Sequence, residues 1–324
     1  YVVGVYTTGG RALIEGGSIK IGFADGKTDK SLTSTAVSTE GGEIYLAGIL
    51  TIESASLGVT VRKGEDTQGL LEIATDTITT TDGTIYSDID SGNVIINTPN
   101  ATGIYVNNGN LTNKGTVAVT SFVGDEEGAD NGWNWVGVDG NLLNSFNKYN
   151  GVYVQGGSLI STGTLNVTHT GVQNDQDQTV NGEALTGKNA YRLFEIKSYA
   201  VRVEGDANTT VTIASGNITN SVGGGVLVNG GTVHLGGYVD ENGTAHTSQK
   251  PVTVQTTGKD VYYTLNGQYI NSGIYDAMNG ANGADDGDIQ SGGNWRYLLP
   301  KTGGPAVKVT NGNLSVYGGS YQAL

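Results

Sequence analysis

Short segments of alternating apolar and polar residues recur along the chain, and each contains a glycine, a polar residue and an aliphatic residue in that order. The glycines of the eight copies are Gly17, Gly42, Gly92, Gly109, Gly157, Gly216, Gly231 and Gly312. Strand-like phrases precede several copies, namely GIYV at 103, GVYV at 151, AVRV at 200, GVLV at 225 and AVKV at 306. Because apolar side chains at every second position lie on one face of a strand, the pattern predicts short β-strands joined by glycine turns.

These phrases fit two all-β architectures. The steps Asp82-Gly83 and Asn108-Gly109 are typical of hairpin turns, so an antiparallel sandwich is one alternative. The same phrase, however, returns at irregular intervals with its glycine always before the same kind of aliphatic residue. Stacked copies would place like residues in ladders, and we therefore predict a single parallel β-helix over residues 1–324.

Composition agrees with an all-β protein and excludes several functions. Of 324 residues, 53 are glycine and 4 are proline, and 15% are charged, which favours strands and tight turns over disorder. The net charge of −14 argues against nucleic acid or an anionic membrane as the partner. No apolar run approaches the length of a membrane span.

Two further features concern export and context. Cysteine is absent, as is common in bacterial surface proteins that are exported unfolded. The chain opens within a strand-like pattern at Tyr1 and closes on SYQAL, and we expect it to be part of a longer protein.

Two segments carry a family resemblance. NATGIYVNNGNLTNKGTVAV (100–119) and YNGVYVQGGSLISTGTLNVTHTG (149–171) resemble the passenger domains of bacterial autotransporter adhesins, in particular the large outer-membrane autotransporters of fusobacteria. The resemblance implies a right-handed parallel β-helix on the cell surface, with adhesion carried by loops and an outer-membrane anchor in a part outside this sequence. Similar repeats also occur in surface-layer and filament proteins, which leaves a structural role as an alternative.

Three longer segments interrupt the repeats, at 124–150, 172–199 and 279–305. Each has an acidic, glycine-rich first half, then an aromatic cluster, and then a return to the repeat. Exposed aromatic rings beside carboxylates suit a sugar or a partner protein, although the same rings can instead pack a segment against the scaffold. The candidate ligand-binding residues are Asp125, Glu126, Trp133, Trp135, Tyr149, Asp285, Asp286, Asp288, Trp295 and Tyr297.

The carboxylates in these segments are also candidate ligands for a calcium ion. Asp285, Asp286 and Asp288 stand among glycines, and calcium accepts carboxylate and carbonyl oxygens in flexible geometry. The calcium-binding nonapeptide repeat needs several consecutive copies, however, and only one is present. NDQDQ at 174–178 and GDEEGAD at 124–130 fit no better. We therefore predict solvated acidic tips and no cofactor, with bound calcium as the alternative.

Catalysis has little support in the sequence. Polysaccharide-degrading β-helix enzymes combine several carboxylates with a histidine and basic residues, and no such set accompanies Asp285 and Asp286. The histidines are scattered, and we expect His169 and His234 to lie outward on strands. We predict a non-enzymatic bacterial surface adhesin that binds another cell, a glycan or a host protein. A self-associating filament or surface-layer subunit is the alternative, and an enzyme comes third.

Overall fold

The described part of the chain consists of β-strands. The computed structural model describes residues 2–21, 23–24, 27–28, 34–54, 57–73, 77–79, 85–87, 92–98, 102–123, 150–171, 199–221, 223–257, 261–264, 269–270, 296–299 and 304–324. In chain order the strands are β1 (Val2–Thr7), β2 (Arg11–Ile21), β3 (Phe23–Ala24), β4 (Lys27–Thr28), β5 (Ser34–Glu40), β6 (Glu43–Ser54), β7 (Leu57–Arg62), β8 (Leu70–Ile73), β9 (Thr77–Thr79), β10 (Ile85–Ser87), β11 (Asn93–Thr98), β12 (Ile104–Asn113), β13 (Thr116–Val123), β14 (Val152–Gly171), β15 (Tyr199–Glu204), β16 (Thr210–Ser215), β17 (Asn217–Asn220), β18 (Gly224–Leu235), β19 (Gly237–Val239), β20 (Ala245–Thr247), β21 (Thr253–Thr256), β22 (Val261–Thr264), β23 (Tyr269–Ile270), β24 (Arg296–Leu299), β25 (Val307–Val316) and β26 (Ser320–Ala323). These residues contain no helix, so the described structure is all-β.

Seventeen of the strands form one hydrogen-bonded sheet, and six of them close a barrel. The ring runs from β6 to β8, β12, β14, β13 and β11 and then back to β6. Every neighbouring pair in the ring is parallel, and the other eleven strands of the sheet are bonded outside it. All pairings of this main sheet are parallel, so the antiparallel sandwich is excluded for it as well.

The predicted right-handed parallel β-helix is wrong, because the main sheet closes on itself as a six-strand barrel. Closure depends on two long strands, β6 with 12 residues and β14 with 20. The first half of β14 pairs with β12 and its second half with β13, while β6 pairs in the same way with β8 and β11. The glycine phrases predicted a turn between separate short strands, whereas Gly156 and Gly157 lie inside the continuous strand β14.

The repeated phrases form rows of buried side chains across the main sheet. The second residues of GIYV, GVYV, AVRV and GVLV are neighbours on adjacent strands, in the order Ile104, Val152, Val201 and Val226. Each is at most 1% exposed. Burial of one such side chain contributes roughly 1.5–3 kcal/mol, so matching phrases stabilise one in-register arrangement.

Smaller antiparallel sheets accompany the main sheet. They consist of β3 with β4, β9 with β10, β19 with β20, and β22 with both β23 and β24. Among the residues described, no helix is long and apolar enough to cross a membrane.

Candidate functional site

Nine of the ten predicted ligand-binding residues lie outside the described residues, and only the backbone of the tenth is placed. The nine are Asp125, Glu126, Trp133, Trp135, Tyr149, Asp285, Asp286, Asp288 and Trp295. Tyr297 lies in β24, opposite Tyr263 of β22. The three segments considered for calcium also lie outside the described residues. Within the described part, no three His, Cys, Asp or Glu side chains are grouped so that they can hold a metal ion.

The described residues fix where the first two predicted insertions join the main sheet. Val123, the last residue of β13, lies opposite Gly171, the last residue of β14. The chain is described again from Asn150 and from Tyr199, and the Tyr199 N–H donates to Oδ1 of Asn150 at 3.1 Å. The two insertions therefore leave the sheet side by side and return side by side, about one strand spacing of 4.8 Å apart.

The third predicted insertion belongs to a stretch that joins the main sheet on the same line. Thr256 lies opposite Asn220 of β17, which lies opposite His169 of β14. The Thr256 hydroxyl donates to the carbonyl oxygen of Gly304 at 2.6 Å, so the two ends of this stretch are joined. We call this line of exit and return points the seam, and its residues are Thr102, Ser121, Asn150, His169, Asn220 and Thr256.

Beside the seam, outward side chains of four strands stack on one another. The rings of Tyr105 and Tyr153 are 5.3 Å apart with an interplanar angle of 28°. The Arg62 guanidinium lies 5.8 Å from the centre of the Tyr105 ring, and that of Arg202 lies 5.5 Å from the centre of the Tyr153 ring. With Glu204, these four residues make up the tyrosine–arginine strip. Because the faces of both rings are in use, the strip offers ring edges and polar groups to a ligand rather than a stacking platform.

The polar end of the strip is organised around Glu204. Its carboxylate accepts a hydrogen bond from the Tyr153 hydroxyl at 2.6 Å, from Nε of Arg202 at 3.0 Å and from Nδ2 of Asn229 at 3.3 Å. Burial raises the pKa of Glu204, but the hydrogen bonds from Tyr153 and Arg202 and the charge of Arg202 outweigh it, and the net effect lowers the pKa. Burial and the bond to Glu204 raise the pKa of Tyr153. At neutral pH the strip therefore holds a fixed carboxylate and a phenol that remains a donor.

A cleft of about 1200 Å³ lies at the turns that connect β1 to β2, β5 to β6 and β7 to β8. Its lining includes the carboxylates of Glu40, Glu43, Glu65 and Asp66. The Tyr6 hydroxyl donates to Glu40 at 2.8 Å, and Nε of Arg11 contacts Glu43 at 2.5 Å. Four carboxylates against the single guanidinium of Arg11 favour a neutral, hydroxyl-rich or cationic ligand over an anionic one.

The sequence interpretation missed both the strip and the cleft. The signal for the strip was present, because the third residues of GIYV, GVYV and AVRV are Tyr105, Tyr153 and Arg202, which are neighbours in register. The cleft left no such signal, since its lining comes from three turns that are far apart in sequence.

One histidine prediction is also corrected. His169 was expected to lie outward on its strand, but it is 0% exposed. Leu165, Val167 and His169 alternate along β14 and all three are buried, so strict alternation already placed the imidazole inside. His234, by contrast, is half-buried, and its Nδ1 is 3.0 Å from the Tyr317 hydroxyl.

No protein-family model matches the chain, and neither a curated protein nor a solved structure matches it.

Proposed function

We propose that this chain is part of a bacterial cell-surface adhesin, in which an all-β scaffold holds binding segments that contact another cell, a glycan or a host protein. The observation that carries the proposal is the seam. Two segments with the same acidic and aromatic plan join the scaffold at adjacent points, with Val123 opposite Gly171 and Asn150 bonded to Tyr199. Because both segments leave from and return to neighbouring, paired strands, their residues start close together. One binding surface built from both segments requires this proximity.

The tyrosine–arginine strip supports the proposal because it begins beside the seam. Tyr105 follows Thr102 by three residues, and Tyr153 follows Asn150 by three. The Tyr105 hydroxyl bonds to Gln155 at 2.7 Å, which adds an amide to the phenols, guanidiniums and carboxylate of the strip. Such a mixture of donors and acceptors on rigid strands suits the hydroxyl groups of a glycan or the polar rim of a protein interface.

The hydrogen bonds and ion pairs of the described carboxylates favour a role in binding over a role in catalysis. In the cleft, Glu40 accepts the Tyr6 hydroxyl and Glu43 pairs with Arg11. In the strip, Glu204 pairs with Arg202, and its hydrogen bonds with Tyr153 and Arg202 lower its pKa. A general acid needs a raised pKa near the operating pH, whereas the pKa of Glu204 is lowered.

The two tryptophans of the first predicted insertion give the first prediction. We expect the double variant Trp133→Ala/Trp135→Ala to bind its ligand at least about tenfold more weakly, since aromatic anchors dominate most interfaces. The measurement is a glycan and receptor array with the purified chain, followed by titration of the strongest hit. Tyr153→Ala is the second arm and weakens binding if the ligand also contacts the strip.

The control is Tyr238→Ala, which removes an aromatic ring from the hairpin of β19 and β20, outside the seam and the strip. It should leave binding unchanged, and binding is compared at a temperature at which circular dichroism shows every variant to be folded. Binding that survives the tryptophan replacements would refute the proposal. Concentration-dependent growth of oligomers would favour the filament alternative, and polysaccharide turnover that is lost in Asp285→Asn would favour an enzyme.

A further inference from the structure

The inward row of side chains at the seam is polar, although the row beside it is aliphatic. Each polar residue is at most 1% exposed, and in register they are Ser121, His169, Asn220 and Thr256. The aliphatic row two residues earlier on the same strands is Val119, Val167, Ile218 and Val254. Buried polar groups cost free energy unless they are hydrogen-bonded, so this row needs partners.

Asn220 and Thr256 meet that need by joining an exit point to a return point, whereas Asn150 joins two neighbouring return points. Nδ2 of Asn220 donates to the carbonyl oxygen of Gly224 at 2.8 Å, and the Thr256 hydroxyl donates to that of Gly304 at 2.6 Å. Oδ1 of Asn150 accepts the Tyr199 N–H at 3.1 Å. These bonds close the bases of the segments that leave the sheet, and they do not depend on pH near neutrality.

His169 differs from the other seam residues. Its Nδ1 lies 2.7 Å from the Ser121 hydroxyl, but its Nε2 is buried and has no hydrogen-bond partner among the described residues. Nε2 lacks a partner in either tautomer of His169. Nδ1 can accept a hydrogen bond from the Ser121 hydroxyl or donate one to it, so the Nδ1–Ser121 hydrogen bond forms in both cases. The imidazole occupies the place in the row from which Asn220 and Thr256 reach a return point.

Among the described residues, the register neighbours of His169 offer no counter-charge. The register neighbours are Ser121 on β13 and Asn220 on β17, both uncharged. Tyr199 is the titratable residue bonded to Asn150 of the seam, and burial raises its pKa so that its phenol stays neutral. Burial alone lowers the pKa of His169 to about 3 from 6.5. The folded seam therefore holds a neutral imidazole that resists protonation.

We propose that His169 is an acid-sensitive latch, whose protonation opens the seam and frees the bases of the segments joined there. In the closed seam, the described residues offer no acceptor for a proton on Nε2, whereas the open seam exposes the ring to water. Below pH 6.5 the open form takes up a proton that the closed form does not, and this difference persists down to about pH 3. The ratio of closed to open seam therefore falls up to tenfold for each pH unit within that window.

Hydrogen exchange of the full chain, read by mass spectrometry, tests the latch. Wild type is compared with His169→Asn at each pH from 7 to 4.5, because a comparison at equal pH cancels the chemical exchange rate. Asn fits the row, as the next strand already carries Asn220 there. We expect the opening of peptides over the ends of β13, β14 and β17 to rise about tenfold per pH unit below 6.5 in wild type and to stay flat in the variant.

Two controls sharpen the test. Peptides of β6, which contains neither a histidine nor a seam residue, serve as an internal reference. The variant His234→Asn, which changes a half-buried imidazole on the outer face, should keep the wild-type response. The latch is refuted if the seam peptides of wild type respond to acid no more than β6 does, or if His169→Asn responds equally. Should His169→Asn fail to fold, the NMR titration of His169 in wild type decides: a midpoint near pH 6.5 with protected seam amides overturns the proposal, and an absent titration above pH 4.5 supports it.

Discussion

Replacement of Gly157 by alanine should destabilise the protein by about 3 kcal/mol. The residue has φ of +77°, a conformation that L side chains rarely adopt. An added Cβ would lie 2.0 Å from the carbonyl oxygen and 2.7 Å from the nitrogen of Gly109 on β12. Both are backbone atoms of a paired strand in the closed ring, so neither can move without breaking the pairing of β12 with β14. The strain and the clash act together, and the glycine of the repeated phrase is explained by this close approach.

Urea unfolding followed by circular dichroism measures this loss. The matched control is Gly10→Ala, where an added Cβ would meet nothing within 4 Å and φ lies outside the left-handed region. The control should unfold within about 0.5 kcal/mol of wild type. Equal stability of the two variants would show that β12 and β14 do not approach each other at these glycines.

The second large effect is expected for Leu159→Ala, which should cost about 3 kcal/mol. Leu159 is 0% exposed and lies on β14 between Leu111 of β12 and Val211 of β16. Truncation leaves a cavity where parallel strands hold the surrounding aliphatic side chains in register, so the site has little room to collapse. The loss adds the transfer free energy of the missing groups to the cost of the cavity.

Ile49→Ala is the matched control for this truncation, because Ile49 is a similarly sized aliphatic residue that is 72% exposed. It should change the free energy of unfolding by less than about 0.5 kcal/mol. Both variants are measured in the same urea titration, and their m-values should equal that of wild type. A Leu159→Ala variant as stable as Ile49→Ala would place Leu159 outside the core and contradict the alternation along β14.

The sequence predicted the strands and their inward faces but not how the strands connect. Alternation correctly placed residues such as Val152 and Val154 inside, because that signal is local. The path of β14, in contrast, depends on contacts between residues that are far apart in sequence. Whether its glycines end a strand or lie within one depends on which strands pair with each half, namely β12 and then β13. The closed barrel follows from those long-range pairings, and the repeated phrases do not specify them.

The candidate site, like the fold, could be predicted from the sequence only in part. Trp133, Trp135 and Trp295 were chosen by residue type, and they lie outside the described residues, so their roles stay predictions. The tyrosine–arginine strip could be found only after register placed Tyr105 opposite Tyr153. Polarity misled the interpretation of His169, since a polar side chain in an alternating strand was assigned to the surface, whereas the seam buries it.

The central claim is that β13 and β14 run in parallel and in register, so that the first two predicted insertions leave the scaffold side by side. The chain has no cysteine, so Thr120→Cys/Thr168→Cys introduces a unique pair at neighbouring positions. The shortest bis-maleimide reagent should join the two within one molecule, as read by peptide mass spectrometry. Thr120→Cys/Gln322→Cys is the control, because Gln322 lies four strands further along the same row, roughly 19 Å away, and should not be joined. Cross-linking of the control pair, or none of the Thr120/Thr168 pair, would contradict the account.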